Sequence, residues 1–226
     1  MPEYMPMAGR WATFDCYGTL VDWEGGFRNT FRSLWPDADV EALLRSYHRA
    51  EPRIQAEGGD LTYREVLGRS LKAVADEAGL EVPAGQGDAL AASLPGWSPF
   101  PEVRASLAEA RERGWKLAAL SNTDPDLLAA SIDAIGVPFD LRITAAEAGS
   151  YKPAPGHWER FFADSGAERA DHVHVAASLF HDIEPAGRLG LKAIWINRLS
   201  ETSELERAAE LPDLRALPET LERVAG

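Results

Sequence analysis

One cysteine, Cys16, stands among 226 residues, so the chain can form no internal disulfide, and no Cys/His spacing suggests a zinc site. No apolar run approaches the roughly 18 residues of a membrane span, and no signal-peptide pattern is legible at the N-terminus. The expectation is a cytoplasmic protein with no membrane partner. Positive charge is scarce too. Lys and Arg number 23 against 36 Asp and Glu, a net charge of −13, which argues against nucleic acid and anionic membranes as partners. An acidic chain can hold an anionic small molecule only by gathering its few cations in one place, so individual Lys and Arg residues carry weight here. Repeats and low-complexity tracts are missing as well. What remains is 45% apolar and 26% charged, the composition of a globular protein able to bury a sizeable core.

The pattern of elements is α/β. A short apolar run, Trp11 to Phe14, predicts a buried strand. From residue 24 to 94 the apolar residues recur at three- and four-residue spacing, as in VEALLRSYHRAEPRIQAE and YREVLGRSLKAVADEAG, which predicts helices. Pro52 is expected to kink or end the first of these. After the Pro/Gly-rich turn LPGWSPFP, helices and strands alternate: VRASLAEARERG, WKLAALSN, PDLLAASIDAIG, FDLRIT, HWERFFADSG, DHVHVAAS, PAGRLG and a final strand KAIWINR. Such alternation predicts a doubly wound, Rossmann-like parallel sheet with right-handed crossovers. Residues 1–23 and 95–226 then make the core, and 24–94 a helical cap inserted after the first strand.

Four segments of the predicted sheet edge carry chemistry. In WATFDCYGTLVDW the first strand ends at Asp15, turns through Gly18 and reaches the Thr19 hydroxyl. An acid there sits at the carboxyl edge of the sheet, where open α/β sheets build their sites. Cys16 follows the acid and points to the opposite side, as a small packed residue. The second strand ends in Ser121 and Asn122, residues that could equally cap the next helix. GSYKPAPGHW places Lys152 between Tyr151 and Pro153, and a cation beside Asp15 would keep it ionised and orient it. HVHVAASLFHDIEPAG supplies Ser178, His181 and Asp182, the last equally suited to cap the following turn.

These motifs resemble the haloacid dehalogenase superfamily, and the resemblance covers essentially the whole chain. Asp15 and Thr19 match its Asp-x-x-x-Thr motif, whose Asp becomes covalently esterified. Lys152 before a Pro matches the third motif. Phosphatases of the superfamily carry a second Asp at the position of Tyr17, to protonate an alkoxide leaving group, whereas a halide needs no proton. They also carry an acid at the position of Ala177, which helps hold Mg²⁺. Both acids are missing here, so the pattern looks like the (S)-2-haloacid dehalogenase branch, with no cofactor and no metal.

That resemblance implies a small 2-haloacid as substrate. Asp15 is the nucleophile, Thr19, Ser121 and Lys152 position it, and Asp182 orients Lys152 or activates water. Tyr17, Asn122, Ser178 and His181 contact substrate or halide, and Tyr17 with Trp23, Trp97, Trp158 and Phe180 supplies an apolar wall that excludes water. Arg45 in ALLRSYHRAEPR aligns with a cap arginine that clamps the substrate carboxylate, and Arg49 and Arg53 follow on the same helix. Dimers are common in the family, so a homodimer is compatible with it. The chain departs from the dehalogenase pattern at Ala177, Leu179 and His181, where a Ser-Ser-Asn run and an aromatic are usual. Two alternatives stay open: a Mg²⁺-dependent phosphatase acting on a small phosphate ester, and a non-catalytic protein that binds small acids.

Overall fold

The computed structural model describes residues 9–57 and 61–226, in two compact units. The first consists of the chain up to Val21 together with Pro99–Gly226. Its parallel six-stranded sheet has the order β3-β2-β1-β4-β5-β6, built from β1 (Trp11–Phe14), β2 (Lys116–Ser121), β3 (Leu141–Thr144), β4 (His172–Ala176), β5 (Lys192–Ile196) and β6 (Ala209–Leu211). The strand carrying Asp15 at its end is therefore central. All residues of β1 and β4 are buried, as expected of strands covered on both faces.

Register decides which residues meet. Phe14 pairs with Ala119 on one side and Val175 on the other. Asp15, Ser121 and Ala177 thus come off the same sheet edge. Between the strands run α5 (Val103–Glu112), α6 (Pro125–Ile135), α7 (Ala145–Ala148), α8 (Gly156–Ser165) and α9 (Glu184–Arg188), and α10 (Leu217–Ala225) closes the chain. Proline opens α6, and Gly136 ends it at φ 70°, a conformation that strains any residue with a Cβ. The strand β6 and helix α10 lie beyond the last strand read from the sequence. β6 has only three residues, too few for a legible period; beside it the Asn197 amide donates to the Leu211 carbonyl at 2.7 Å.

The second unit, Asp22–Ser98, contains α1 (Trp23–Leu34), α2 (Val40–Ala56), α3 (Tyr63–Ala78) and α4 (Ala89–Ser93). Side-chain caps start α1, α2 and α3: Asp22 accepts from the Gly25 amide, Asp39 from those of Glu41 and Ala42, and Thr62 with Glu65 forms a capping box. Phe27, Phe31, Tyr47 and Trp97 fill its interior, so Trp97 is a core residue of this unit.

Pro52 does not end α2, which runs on to Ala56. A proline removes one helical donor and pushes away the carbonyls of the preceding turn. The missing donor is the one that would serve the His48 carbonyl; at the neighbouring Arg49 carbonyl the Arg53 side chain donates through Nε at 2.9 Å.

Candidate active site

The site grows from the turn after β1. Gly18 adopts φ 89°, a left-handed conformation that lets its amide donate to the Val21 carbonyl at 2.8 Å. The chain folds back on itself, and Thr19 comes to lie beside Asp15. The Thr19 hydroxyl donates to Asp15 Oδ2 at 2.8 Å and accepts from the Ala177 amide at the same distance. Arg198, to which the sequence assigned nothing, holds this turn from behind by donating to the Thr19 carbonyl at 2.8 Å while pairing with Glu102.

Lys152 is the centre of the arrangement. Its side chain is 1% exposed, and Nζ donates to Asp15 Oδ1 (2.9 Å), Asp182 Oδ1 (2.7 Å) and the Leu120 carbonyl (2.9 Å). An ammonium has three N–H bonds, so all are engaged. Asn122 fixes the main chain of Lys152 in both directions: its amide donates to the Lys152 carbonyl at 2.9 Å, and its oxygen accepts from the Lys152 amide at 2.7 Å. Asn122 thereby braces the main chain of the lysine.

Asp182 lies in a wide turn, Leu179–Ile183, in which the Ile183 amide reaches back to the Ser178 carbonyl. Single turns of this π type recur at functional sites because the extra residue re-aims a side chain. Asp182 does not cap α9, whose first residues are capped by no side chain; it is buried against Lys152 and His174. Neither do Ser121 and Asn122 cap α6, which receives no side-chain cap.

The structure therefore brings Asp15, Thr19, Ser121, Asn122, Lys152 and Asp182 to one edge of the sheet. Ser121 is buried there and its hydroxyl has no partner among the described residues. On the wide turn, Ser178 accepts from the His181 amide at 3.0 Å and meets His181 Nδ1 at 3.2 Å. Tyr17 turns its hydroxyl to α6, 3.0 Å from Ser131 Oγ. Trp158, a proposed wall residue, packs instead into a core cluster with Ala176, Ile183 and Trp195, while Phe180 is exposed. Arg45 belongs to the helical unit, exposed on α2 and without a hydrogen bond or ion pair among the described residues. Arg49 is paired with Glu77.

Burial disfavours the charges of Lys152 and Asp182, yet each partner's opposite charge prevails. The ammonium is raised above its ordinary range, and Lys152 with His174 holds the Asp182 carboxyl well below its own. Burial, with Asp15 adding to it, pushes the Cys16 thiol up, so it stays neutral and packed. His181 is lowered by burial. His157, which contacts the Ser121 carbonyl at 3.2 Å, and His172 are both pushed down by burial to about 3.

The last two shifts predict an acid sensitivity. Between their ordinary value of 6.5 and about 3, the unfolded chain binds protons at these histidines and the folded chain does not. Stability is complete above pH 6.5 and falls with acidification, at up to roughly 1.4 kcal/mol per pH unit for each histidine. Asp182 adds to the loss only below its ordinary 3.8. Urea denaturation at pH 7.5, 6 and 5 is expected to show the decline. A flat profile would mean that these imidazoles gain protons in the folded state.

A family model described as haloacid dehalogenase-like hydrolase matches residues 10–190. The chain belongs to this family of hydrolases. Its similarity to particular members of the family is lower but nearly full-length. It is 28% identical to an (S)-2-haloacid dehalogenase of Pseudomonas sp. strain YL over 94% of each chain. With a haloacetate dehalogenase H-2 of Moraxella sp. strain B the identity is 27%, over 82% of this hydrolase and 84% of that protein. The crystal structure of an L-2-haloacid dehalogenase superposes with a TM-score of 0.84 at 25% identity, covering 95% of this chain and 99% of that one. No helix among the described residues is long and apolar enough to cross a membrane.

Proposed function

We propose that this hydrolase converts short 2-haloalkanoic acids to 2-hydroxyacids through an ester on Asp15, without a metal. The observation that carries the reading is Lys152, whose one buried ammonium bridges Asp15 Oδ1 and Asp182 Oδ1. The donor set fits Mg²⁺ poorly. Tyr17 and Ala177 supply no carboxylate, and the two acids present already share a cation. Substitution at carbon needs a fixed, ionised oxygen, and that is what Thr19 and Lys152 provide. The dehalogenases similar to this chain support the same reaction class.

In the first step an Asp15 oxygen bonds to C2 of the haloacid as the carbon–halogen bond breaks and halide leaves with the electron pair. Tyr17, Ser178 and His181 border the leaving group. In the second step a water oxygen bonds to Cγ of Asp15 while its proton passes to Asp182. Lys152 stabilises the negative oxygen that develops on Asp15. The bond from Cγ to the ester oxygen, the one that attacked C2, then breaks, and the departing alkoxide recovers the proton from Asp182 as the 2-hydroxyacid. Asp15, left as the acid, gives its proton to solvent.

Halide release from chloroacetate and 2-chloropropionate, measured with and without EDTA, tests this reading. The expected result is release of equal rate in both. Absence of halide together with Mg²⁺-dependent hydrolysis of phosphate esters would replace it with phosphatase chemistry.

A further inference from the structure

Behind Asp182 lies a chain of buried polar groups that the reaction above does not use. Asp182 Oδ1 lies 3.0 Å from His174 Nε2, His174 Nδ1 lies 2.8 Å from Thr13 Oγ1, and Thr13 Oγ1 lies 2.8 Å from His172 Nε2. All four residues are wholly buried. The topology makes this chain. β4 pairs with β1 so that Thr13 faces His174 and Trp11 faces His172. The residues alternate along their strands, and Thr13 stands two positions before Asp15.

The direction of the hydrogen bonds follows from chemistry. An ionised carboxylate only accepts, so His174 Nε2 carries the proton given to Asp182. With His174 neutral, its Nδ1 accepts from the Thr13 hydroxyl, which in turn accepts from His172 Nε2. The far end is closed: the His172 ring lies 5.0 Å from that of Phe161 and 5.1 Å from that of Phe162, and its Nδ1 has no partner among the described residues. The chain cannot carry protons to solvent. It is a brace.

We infer that His174, held by Thr13 and His172, is a positioning residue that dictates which oxygen of Asp182 acts as base. Lys152 and His174 together saturate Oδ1, whereas Oδ2 is buried and has no partner among the described residues. The free oxygen is thereby the one left to take a proton from water. Without His174, Lys152 alone holds the carboxylate, which can turn about its Cβ–Cγ bond to offer either oxygen, and its proton affinity rises. The inference rests on the proposed role of Asp182 in the hydrolytic step. The charged and titratable groups that face Asp182 are Lys152, His174, His181 and His157, and Asp15 shares the Lys152 ammonium with it.

Two variants test it, His174→Leu, which removes both ring nitrogens, and His174→Gln, whose amide can replace the Nε2 donor. The first readout needs no turnover: the carboxyl carbon of Asp182 is followed by ¹³C NMR against pH. In His174→Leu its midpoint is expected to move up by about one unit or more, a tenfold change in proton affinity, and in His174→Gln to return most of the way. The second readout is single-turnover kinetics with chloroacetate. Halide release in the first turnover should be nearly unchanged, while kcat falls on the order of 10- to 100-fold with a parallel fall in KM, as the Asp15 ester accumulates. The acid limb of kcat should move to higher pH. An unchanged Asp182 midpoint in a folded variant, or equal loss in both steps, would overturn the inference. A wild-type enzyme that releases no halide would sink the dehalogenase reading instead, and the carboxyl titration would still decide the role of His174.

Discussion

Asp15→Asn is expected to lower turnover of 2-haloacids by on the order of 10⁴-fold or more while the protein stays folded. An amide oxygen carries no full negative charge and is a poor nucleophile toward carbon, so the first bond does not form. The replacement keeps the shape of the side chain, and its oxygen can still accept from Lys152 Nζ, which lies 2.9 Å from Asp15 Oδ1. One buried negative charge disappears from a site in which two carboxylates share one cation, so folding has little to lose. Single turnover in H₂¹⁸O separates the covalent route from direct attack by water. In the covalent route the solvent oxygen ends in Asp15, because water attacks Cγ and the original carboxylate oxygen departs with the product. Label found only in the 2-hydroxyacid, or an active Asp15→Asn enzyme, would exclude the ester.

Lys152→Met should be the most damaging change to the fold as well as to the reaction. Methionine fills nearly the same volume but leaves Asp15 and Asp182 buried side by side with no cation. Removing one partner of a buried ion pair costs about 3–5 kcal/mol, which for a chain of this size is a fall in Tm on the order of 10 °C. The pH dependence gives the cause. Two like charges in low dielectric raise the proton affinity of one carboxylate above its unfolded value. Stability from such a group is present at low pH and lost as pH rises through the raised value. The deficit of the variant relative to wild type is therefore expected to shrink between pH 7 and 5. Urea denaturation of both proteins at the two pH values measures it. A deficit independent of pH would point to packing as the cause, and activity that survives the change would remove Lys152 from the reaction.

What the sequence alone determined is local or periodic. Apolar spacing set the helices of residues 24–94, and apolar runs ending in Asp15, Ser121 and Ala177 set three strands, because burial on one stripe or on both faces leaves that imprint on any chain. Motif spacing determined which acid, hydroxyl and lysine to watch. Tertiary structure decided the rest. Lys152 is 137 residues from Asp15, and only strand register and crossovers bring its ammonium between two acids. Asn122 reads equally as a substrate contact or a cap until the Lys152 main chain is seen against it. The helix continues through Pro52 although proline lacks the helical donor, and the short β6 forms by pairing with β5. His172 and His174 look like ordinary members of a strand in HVHVA. Their partner, Thr13, lies about 160 residues away on a neighbouring strand, and side-chain hydrogen bonds across a sheet leave no periodic trace in sequence.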